Sequence, residues 1–210
     1  MRTISAFGAL LLCGAISPVG AQISISSSDG SAPYGYPATF DFNSPTAEYD
    51  GTIFTTSSGI RAQPAGSTGG FGSVGPTFDN DAGPTTLDLS AFGDIGSITF
   101  LWGSVDTYNM LEVLDASSTP IFTLNGGDFG VAPADGNQTA ASSNRLVTLT
   151  FAGTSRGDVT GLRFSSTRDA FEFDNVTVLA APEPATWMMT IAGFGALGGA
   201  LRRKRAIAFA

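Results

Sequence analysis

Apolar and polar residues alternate along several short stretches in the middle of this chain. The pattern is clearest over residues 97–102 and 147–151, and shorter versions surround Asp41, Asp88 and Arg163. Because successive side chains of a strand point to opposite faces of a sheet, a period of two is typical of strands with one buried face. Clusters of Gly, Pro, Asn and Ser separate the stretches, and the 3.6-residue period of a helix is not evident between them.

The region from residue 22 to residue 180 is therefore predicted to be an all-β domain, an antiparallel β-sandwich or jelly roll. Most of the 16 phenylalanines lie in this region and are sufficient for a core between two sheets. Ser57–Pro76 and Asn125–Asn144 are poor in large apolar residues. We expect both to be long surface loops, which either carry a binding site or are simply flexible.

The last predicted strand, residues 170–178, changes phase along its length. Its apolar residues occupy odd positions up to Phe173 and even positions from Val176 onward. A shift of one residue moves side chains to the other face of a sheet. The pattern therefore predicts a β-bulge near Asp174 and Asn175, which would keep both sets buried.

The N-terminal residues 1–21 have the pattern of a secretory signal peptide. Arg2 supplies one positive charge, an apolar run extends from Ile4 to Ile16, and small residues precede position 22. We expect the Sec machinery to export the chain and signal peptidase to cleave between Ala21 and Gln22. The only cysteine, Cys13, would be removed with the signal.

The C-terminal residues 181–205 have the pattern of a membrane-anchoring segment. Residues 185–201 carry no charge, and Arg202, Arg203, Lys204 and Arg205 follow directly. A helix of this length spans about 26 Å, close to the thickness of a bilayer core. Trp187 suits the membrane interface, and the basic cluster is expected to stay in the cytoplasm, which places residues 22–181 outside it. The alternative is a hydrophobic helix in the core of the protein.

This C-terminal arrangement resembles the PEP-CTERM sorting signal of Gram-negative bacteria. The motif reads Pro182, Glu183, Pro184 and then Trp187, as in the variant written PEPxxWA, although Met188 stands where that variant usually has alanine. The resemblance implies recognition of this motif by an exosortase in the inner membrane. It also implies cleavage near the motif and delivery of the mature protein to the cell surface or exterior, with extracellular polysaccharide as a partner.

The composition excludes several chemistries. The chain has no histidine and one cysteine, which rules out histidine-based catalytic triads, HExxH zinc sites and an internal disulfide. Residues 22–181 contain 17 acidic groups against five arginines and no lysine, a net charge of −12. Such a surface argues against nucleic-acid binding. No cofactor is expected, although divalent cations could bridge the acidic surface to anionic polysaccharide.

Two acidic motifs are candidate sites of catalysis or metal binding. Glu172 and Asp174 lie two residues apart on one strand, a spacing that a glycosidase could use, but the second glutamate of the similar glucanase motif is absent. Solvated polarity at a sheet edge or bulge is the simpler interpretation. Asp79, Asn80 and Asp81 form a fragment of a calcium loop that lacks the distal glutamate, so we expect a turn there and no metal site.

The segment after residues 97–102 offers a candidate glycan-binding site. Asp106, Tyr108 and Asn109 combine an aromatic face with hydrogen-bonding groups, whereas Trp102 shares the face of its apolar neighbours and is expected in the core. The sequence is compatible with three functions. They are a structural or adhesive envelope protein, a carbohydrate-binding module with its site near residues 106–109, and a secreted glycan-cleaving enzyme. We expect the chain not to be an enzyme.

Overall fold

The computed structural model describes residues 22–30, 35–76, 83–129, 133–153, 155–181 and 189–196. The strands in these ranges are β1 (Gln22–Asp29), β2 (Ile53–Phe54), β3 (Phe71–Val74), β4 (Thr85–Asp88), β5 (Ile95–Gly103), β6 (Asn109–Leu114), β7 (Pro120–Asn125), β8 (Arg145–Ala152), β9 (Gly161–Ser166) and β10 (Phe171–Ala180). One helical turn, α1 (Ser155–Asp158), follows β8, and short 3₁₀ turns lie at Ser90–Phe92 and Gly126–Phe129.

The strands form two sheets in which hydrogen-bonded neighbours are antiparallel. The first sheet has the order β1-β8-β5-β10-β3-β2 and the second the order β4-β9-β6-β7. The predicted predominantly β, antiparallel architecture is confirmed.

Aromatic side chains of the two sheets pack against each other in the core. The ring of Phe164, on β9 of the second sheet, stacks on that of Phe173, on β10 of the first, with centroids 3.7 Å apart. Trp102 on β5 stacks on Phe171 at 4.3 Å and is fully buried, so its predicted core position is confirmed. Burial of such large rings is a major source of folding free energy.

The predicted bulge is present in β10. The pairing of β10 with β5 shifts register between Asp174 and Thr177, and Asn175 has a φ of 52°. Asparagine tolerates this left-handed conformation better than most residues. Phe173 before the bulge and Val176 after it are both fully buried, as the phase change in the sequence predicted.

The C-terminal segment is described only in part. Residues 189–196 form a helix with exposed apolar side chains, and within the described part of the chain no helix is long and apolar enough to cross a membrane. Several predicted features lie outside the described residues. They are the signal peptide 1–21, the motif residues Pro182, Glu183, Pro184 and Trp187, the remainder of the predicted 185–201 helix, the basic residues 202–205 and the acidic turn 79–81.

Candidate functional site

Glu172 is a buried carboxylate at the start of β10. This strand lies inside the first sheet, between β5 and β3, and the Glu172 side chain is 1% exposed. Its Oε1 accepts a hydrogen bond from the backbone N–H of Ala62 at 2.9 Å, and its Oε2 accepts one from the hydroxyl of Ser104 at 2.5 Å. The interpretation of Glu172 as a solvated residue is therefore wrong, because the segment around Ala62 covers this part of the sheet.

Backbone packing around Glu172 is close. A Cβ built at Gly103, the β5 partner of Glu172, would lie 2.8 Å from Cγ of Pro64 and 3.2 Å from Cβ of Glu172. Glycine at position 103 therefore allows the segment that contains Pro64 to lie directly on the sheet.

Burial raises the pKa of Glu172 to about 7. The hydrogen bonds that its carboxylate accepts from Ser104 and Ala62 lower the pKa and oppose this rise.

Asp174 is the second buried carboxylate of β10. Its side chain is 0% exposed, and its Oδ1 accepts a 2.6 Å hydrogen bond from the backbone N–H of Asn175. Its Oδ2 is buried and makes no hydrogen bond of good geometry to any described residue. Burial raises the pKa of Asp174 to about 7, and hydrogen bonding from Asn175 and Ser67 opposes the rise. Here too the expected solvated carboxylate is wrong.

Asn144 connects parts of the two predicted loops. The prediction of a surface loop over Ser57–Pro76 is wrong in part, since Phe71–Val74 form the buried strand β3 of the first sheet. Oδ1 of Asn144 accepts hydrogen bonds from the backbone N–H groups of Ala65 at 2.9 Å and Ser104 at 3.1 Å. Its Nδ2 donates to the carbonyl oxygens of Asn137 at 3.1 Å and Ala140 at 3.0 Å. All four hydrogen-bonding positions of this fully buried amide are therefore used. Composition alone does not distinguish Asn144 from the other polar residues of its loop.

Asp106 and Tyr108 lie together on the turn between β5 and β6. The Tyr108 hydroxyl donates a 2.6 Å hydrogen bond to Oδ2 of Asp106, and the guanidinium of Arg168 lies 5.7 Å from the centre of the Tyr108 ring. Burial raises the pKa of both the Asp106 carboxyl and the Tyr108 hydroxyl. Both residues are partly exposed. The structure thus brings together two of the three residues of the candidate glycan site at the surface.

Asn109, the third residue, is 0% exposed at the start of β6. Its Oδ1 accepts a 2.8 Å hydrogen bond from the hydroxyl of Ser166, while its Nδ2 has no hydrogen-bond partner among the described residues. A direct contact of Asn109 with a ligand would require its neighbours to move. Its role in the fold is to fix the start of β6 against β9.

A groove of about 330 Å³ lies beside Tyr108. Its lining includes Pro84, Tyr108, Met110, Asn125 and Ser166, which mix apolar surface with hydroxyl and amide groups. Such a mixture suits a small polar ligand with apolar faces. The described residues contain no group of three or more carboxylate or thiol side chains placed to hold a metal ion.

Comparison with known proteins assigns the C-terminal segment. Residues 180–205 match the PEP-CTERM protein-sorting motif, which confirms the resemblance drawn from the sequence. The chain is thus a β protein with a C-terminal sorting signal. The motif supports exosortase-dependent sorting of an exported protein and implies a membrane-anchored precursor that is sorted to the cell surface. No curated protein matches the chain.

Proposed function

We propose that this protein is a structural or adhesive component of the cell envelope or extracellular matrix, linked to exopolysaccharide. The observation that carries the proposal is the PEP-CTERM motif over residues 180–205. In this proposal the motif belongs to the PEPxxWA variant, a helix over residues 185–201 anchors the precursor in the inner membrane, and Arg202–Arg205 remain cytoplasmic. Signal peptidase cleaves after Ala21, and exosortase cleaves near Pro182.

The body of the protein is then a β-sandwich exposed outside the cell. Its two antiparallel sheets bury aromatic rings between them, as the stack of Phe164 on Phe173 illustrates. The net charge of −12 over residues 22–181 favours solubility and repels anionic lipid headgroups. Glu172 and Asn144 accept hydrogen bonds from the backbone N–H groups of Ala62 and Ala65, which hold the covering segment on the first sheet. These features suit a stable ectodomain.

A catalytic role for Glu172 and Asp174 has little support. A glycosidase needs two carboxyl groups that reach the scissile bond of a bound sugar. Both side chains are covered, and both oxygens of Glu172 accept hydrogen bonds from the protein. We therefore propose that the protein is not an enzyme.

The second candidate function is a carbohydrate-binding module. The observation that favours it is the groove beside Tyr108, the residue that the sequence singled out. Under this alternative, Asp106 orients the Tyr108 ring through their hydrogen bond while the groove holds a sugar.

Co-sedimentation with exopolysaccharide from the producing cells tests the proposal. We expect the mature protein to be retained by this polymer. Loss of retention on Tyr108→Ala, with no change on Ile121→Ala at an exposed position of β7, would assign the binding to the groove beside Tyr108. A mature protein that stays in the supernatant at all polymer concentrations would contradict a role linked to exopolysaccharide.

A further inference from the structure

The outer face of the first sheet carries two rows of hydroxyl side chains, which we call the hydroxyl face. The strand register places the members of each row side by side across β1, β8, β5 and, in the second row, β10. The first row is Ser24, Thr150 and Ser97, and the second is Ser26, Thr148, Thr99 and Thr177. Adjacent strands are about 4.8 Å apart and alternate residues of one strand about 7 Å apart, so the seven hydroxyl groups form a regular array.

This face lies on the side of the sheet opposite the core. Along β8, Leu149 points into the core, whereas its neighbours Thr148 and Thr150 point outward. Ser24, Ser26 and Thr150 are exposed, and Ser97, Thr99 and Thr148 are half-buried. Thr177 is buried at the end of the second row, where its hydroxyl donates a 3.3 Å hydrogen bond to the carbonyl oxygen of Pro37. Two of the hydroxyl groups, those of Thr99 and Thr148, share a 2.9 Å hydrogen bond, which leaves further lone pairs for a ligand.

Tyr36 forms one wall of a groove on the hydroxyl face. The groove has a volume of about 270 Å³ and includes Thr99, Thr148 and Thr177 in its lining. The Tyr36 side chain is 59% exposed, so its ring is accessible to a ligand. The segment that follows it is fixed to β10, since the Thr39 hydroxyl accepts a 2.9 Å hydrogen bond from the backbone N–H of Val178.

The charge pattern decides which ligand this face suits. The residues of both rows and the described residues that line the groove are uncharged, on a region whose net charge is −12. The five arginines of the region make their contacts at other places. Those contacts are Arg61 with Phe54, Arg145 with Asp29, Arg156 with the Phe151 carbonyl, Arg163 with Glu112 and Arg168 with Tyr108. An anionic polymer would find no cation here, whereas a neutral one avoids repulsion.

A second copy of this chain suits the hydroxyl face less well. Protein interfaces have an apolar centre, and the apolar side chains in the groove lining, Leu146 and Leu179, are largely covered by their neighbours. Two copies would also each bring a net charge of −12 over residues 22–181. Polar side chains with a flat aromatic ring at the rim match a sugar chain, which has hydroxyl groups at its edges and apolar faces.

We infer that the hydroxyl face is a binding site for a neutral polysaccharide chain, with Tyr36 stacking on one sugar ring. This inference rests on the proposed exopolysaccharide role and gives it a ligand class and a site. The accessible hydroxyl groups of the second row lie on β1, β8 and β5 and span about 10 Å, enough for a short segment of a sugar chain. The site is distinct from the groove beside Tyr108.

Affinity electrophoresis of the mature protein tests this inference. The probes are a soluble neutral glucan, hydroxyethyl cellulose, a neutral mannan, and a polyuronate of similar length as the anionic polymer. We expect retardation by at least one neutral polymer and none by the polyuronate. Tyr36→Ala and the double change Thr99→Val with Thr148→Val are each expected to weaken binding at least tenfold. Valine retains the strand preference of threonine, so the double variant should fold; circular dichroism checks that it does.

Ile121→Ala and Thr123→Val are the matched controls, because they remove an exposed apolar side chain and an exposed hydroxyl group from β7 of the second sheet. Tyr108→Ala shows whether binding takes place at the other groove instead. Unchanged binding in the Tyr36 and threonine variants, or loss confined to Tyr108→Ala, would overturn the inference. Retardation by the polyuronate alone, or a dimer that the threonine changes dissociate in sedimentation, would also overturn it. If no purified polymer binds but the producer's exopolysaccharide still retains the protein equally in all variants, the inference fails while the proposed function stands.

Discussion

The Ser104 hydroxyl donates a 2.5 Å hydrogen bond to Glu172, a residue 68 positions away in the chain. Ser104 follows β5 directly, and Glu172 lies on β10 beside it. The other oxygen of Glu172 accepts the N–H of Ala62, so one carboxylate joins two strands and the segment that covers them. The position of this group inside the protein has measurable consequences for stability.

The stability of the protein should decrease between pH 5 and pH 8. Burial raises the pKa of Glu172 from 4.5 to about 7, so the folded protein binds this proton more tightly than the unfolded chain does. Stability from this proton is complete below pH 4.5 and is lost as the pH rises through about 7. The loss from Glu172 alone amounts to at most about 3 kcal/mol, and the raised pKa of Asp174 adds a loss of the same sign. Urea unfolding at pH 5 and pH 8 measures the combined loss.

Glu172→Gln should reduce this pH dependence, because glutamine can accept the Ala62 hydrogen bond and donate to Ser104 without ionising. A smaller dependence should remain, since burial raises the pKa of Asp174 in the same direction. Asp174→Asn in the same background should remove most of the remainder. An equal decrease in wild type and Glu172→Gln would show that Glu172 is not the buried titrating group.

Replacement of Asn144 by alanine should destabilise the protein by about 3 kcal/mol. The change removes four hydrogen bonds and leaves the buried N–H groups of Ala65 and Ser104 without their acceptor. Amide hydrogen exchange at Ala65 should accelerate as its loop is released. Asn125→Ala is a suitable control, because its exposed side chain donates one hydrogen bond to Asp128. A loss of equal size in both variants would contradict the role of Asn144.

Asn175→Gly should leave the stability of the protein nearly unchanged, whereas Asn175→Val should lower it. Its φ of 52° is accessible to glycine without cost, whereas a β-branched side chain is strained there. We expect Asn175→Gly to change the free energy of unfolding by less than about 1 kcal/mol and Asn175→Val to lower it by about 2 kcal/mol. Thermal unfolding of the two variants measures this difference. Equal stability would indicate that β10 runs straight through this position.

The bulge shows how far local sequence could predict the fold. The phase change between Phe173 and Val176 is visible in the sequence, because both sets must face the same core. The burial of Glu172, in contrast, could not be predicted from the local sequence. Its strand reads as apolar and polar residues in alternation, which is typical of a sheet with one solvated face. The segment that covers this face contains Ala62 and is 110 positions distant, so its placement depends on tertiary packing.

Only part of the candidate glycan site could be predicted from the sequence, because the burial of one of its residues also depends on tertiary packing. Asp106 and Tyr108 follow β5 on a turn, and turns are commonly exposed. Asn109 is the first residue of β6, and its partner Ser166 comes from β9. Pairing between distant strands therefore decides its burial. The hydroxyl face became apparent only from the register of β1, β8 and β5, since serine and threonine at alternate positions are common on solvated strands.

Mass spectrometry of the intact protein, recovered from the surface fraction of producing cells, tests exosortase-dependent sorting most directly. In cells with the exosortase we expect a mature chain that begins at Gln22 and ends near Pro182. In cells without it, we expect a membrane-bound chain that extends to Ala210. A surface-exposed chain that still ends at Ala210 in exosortase-positive cells would contradict the assignment of residues 180–205 as a processed sorting signal.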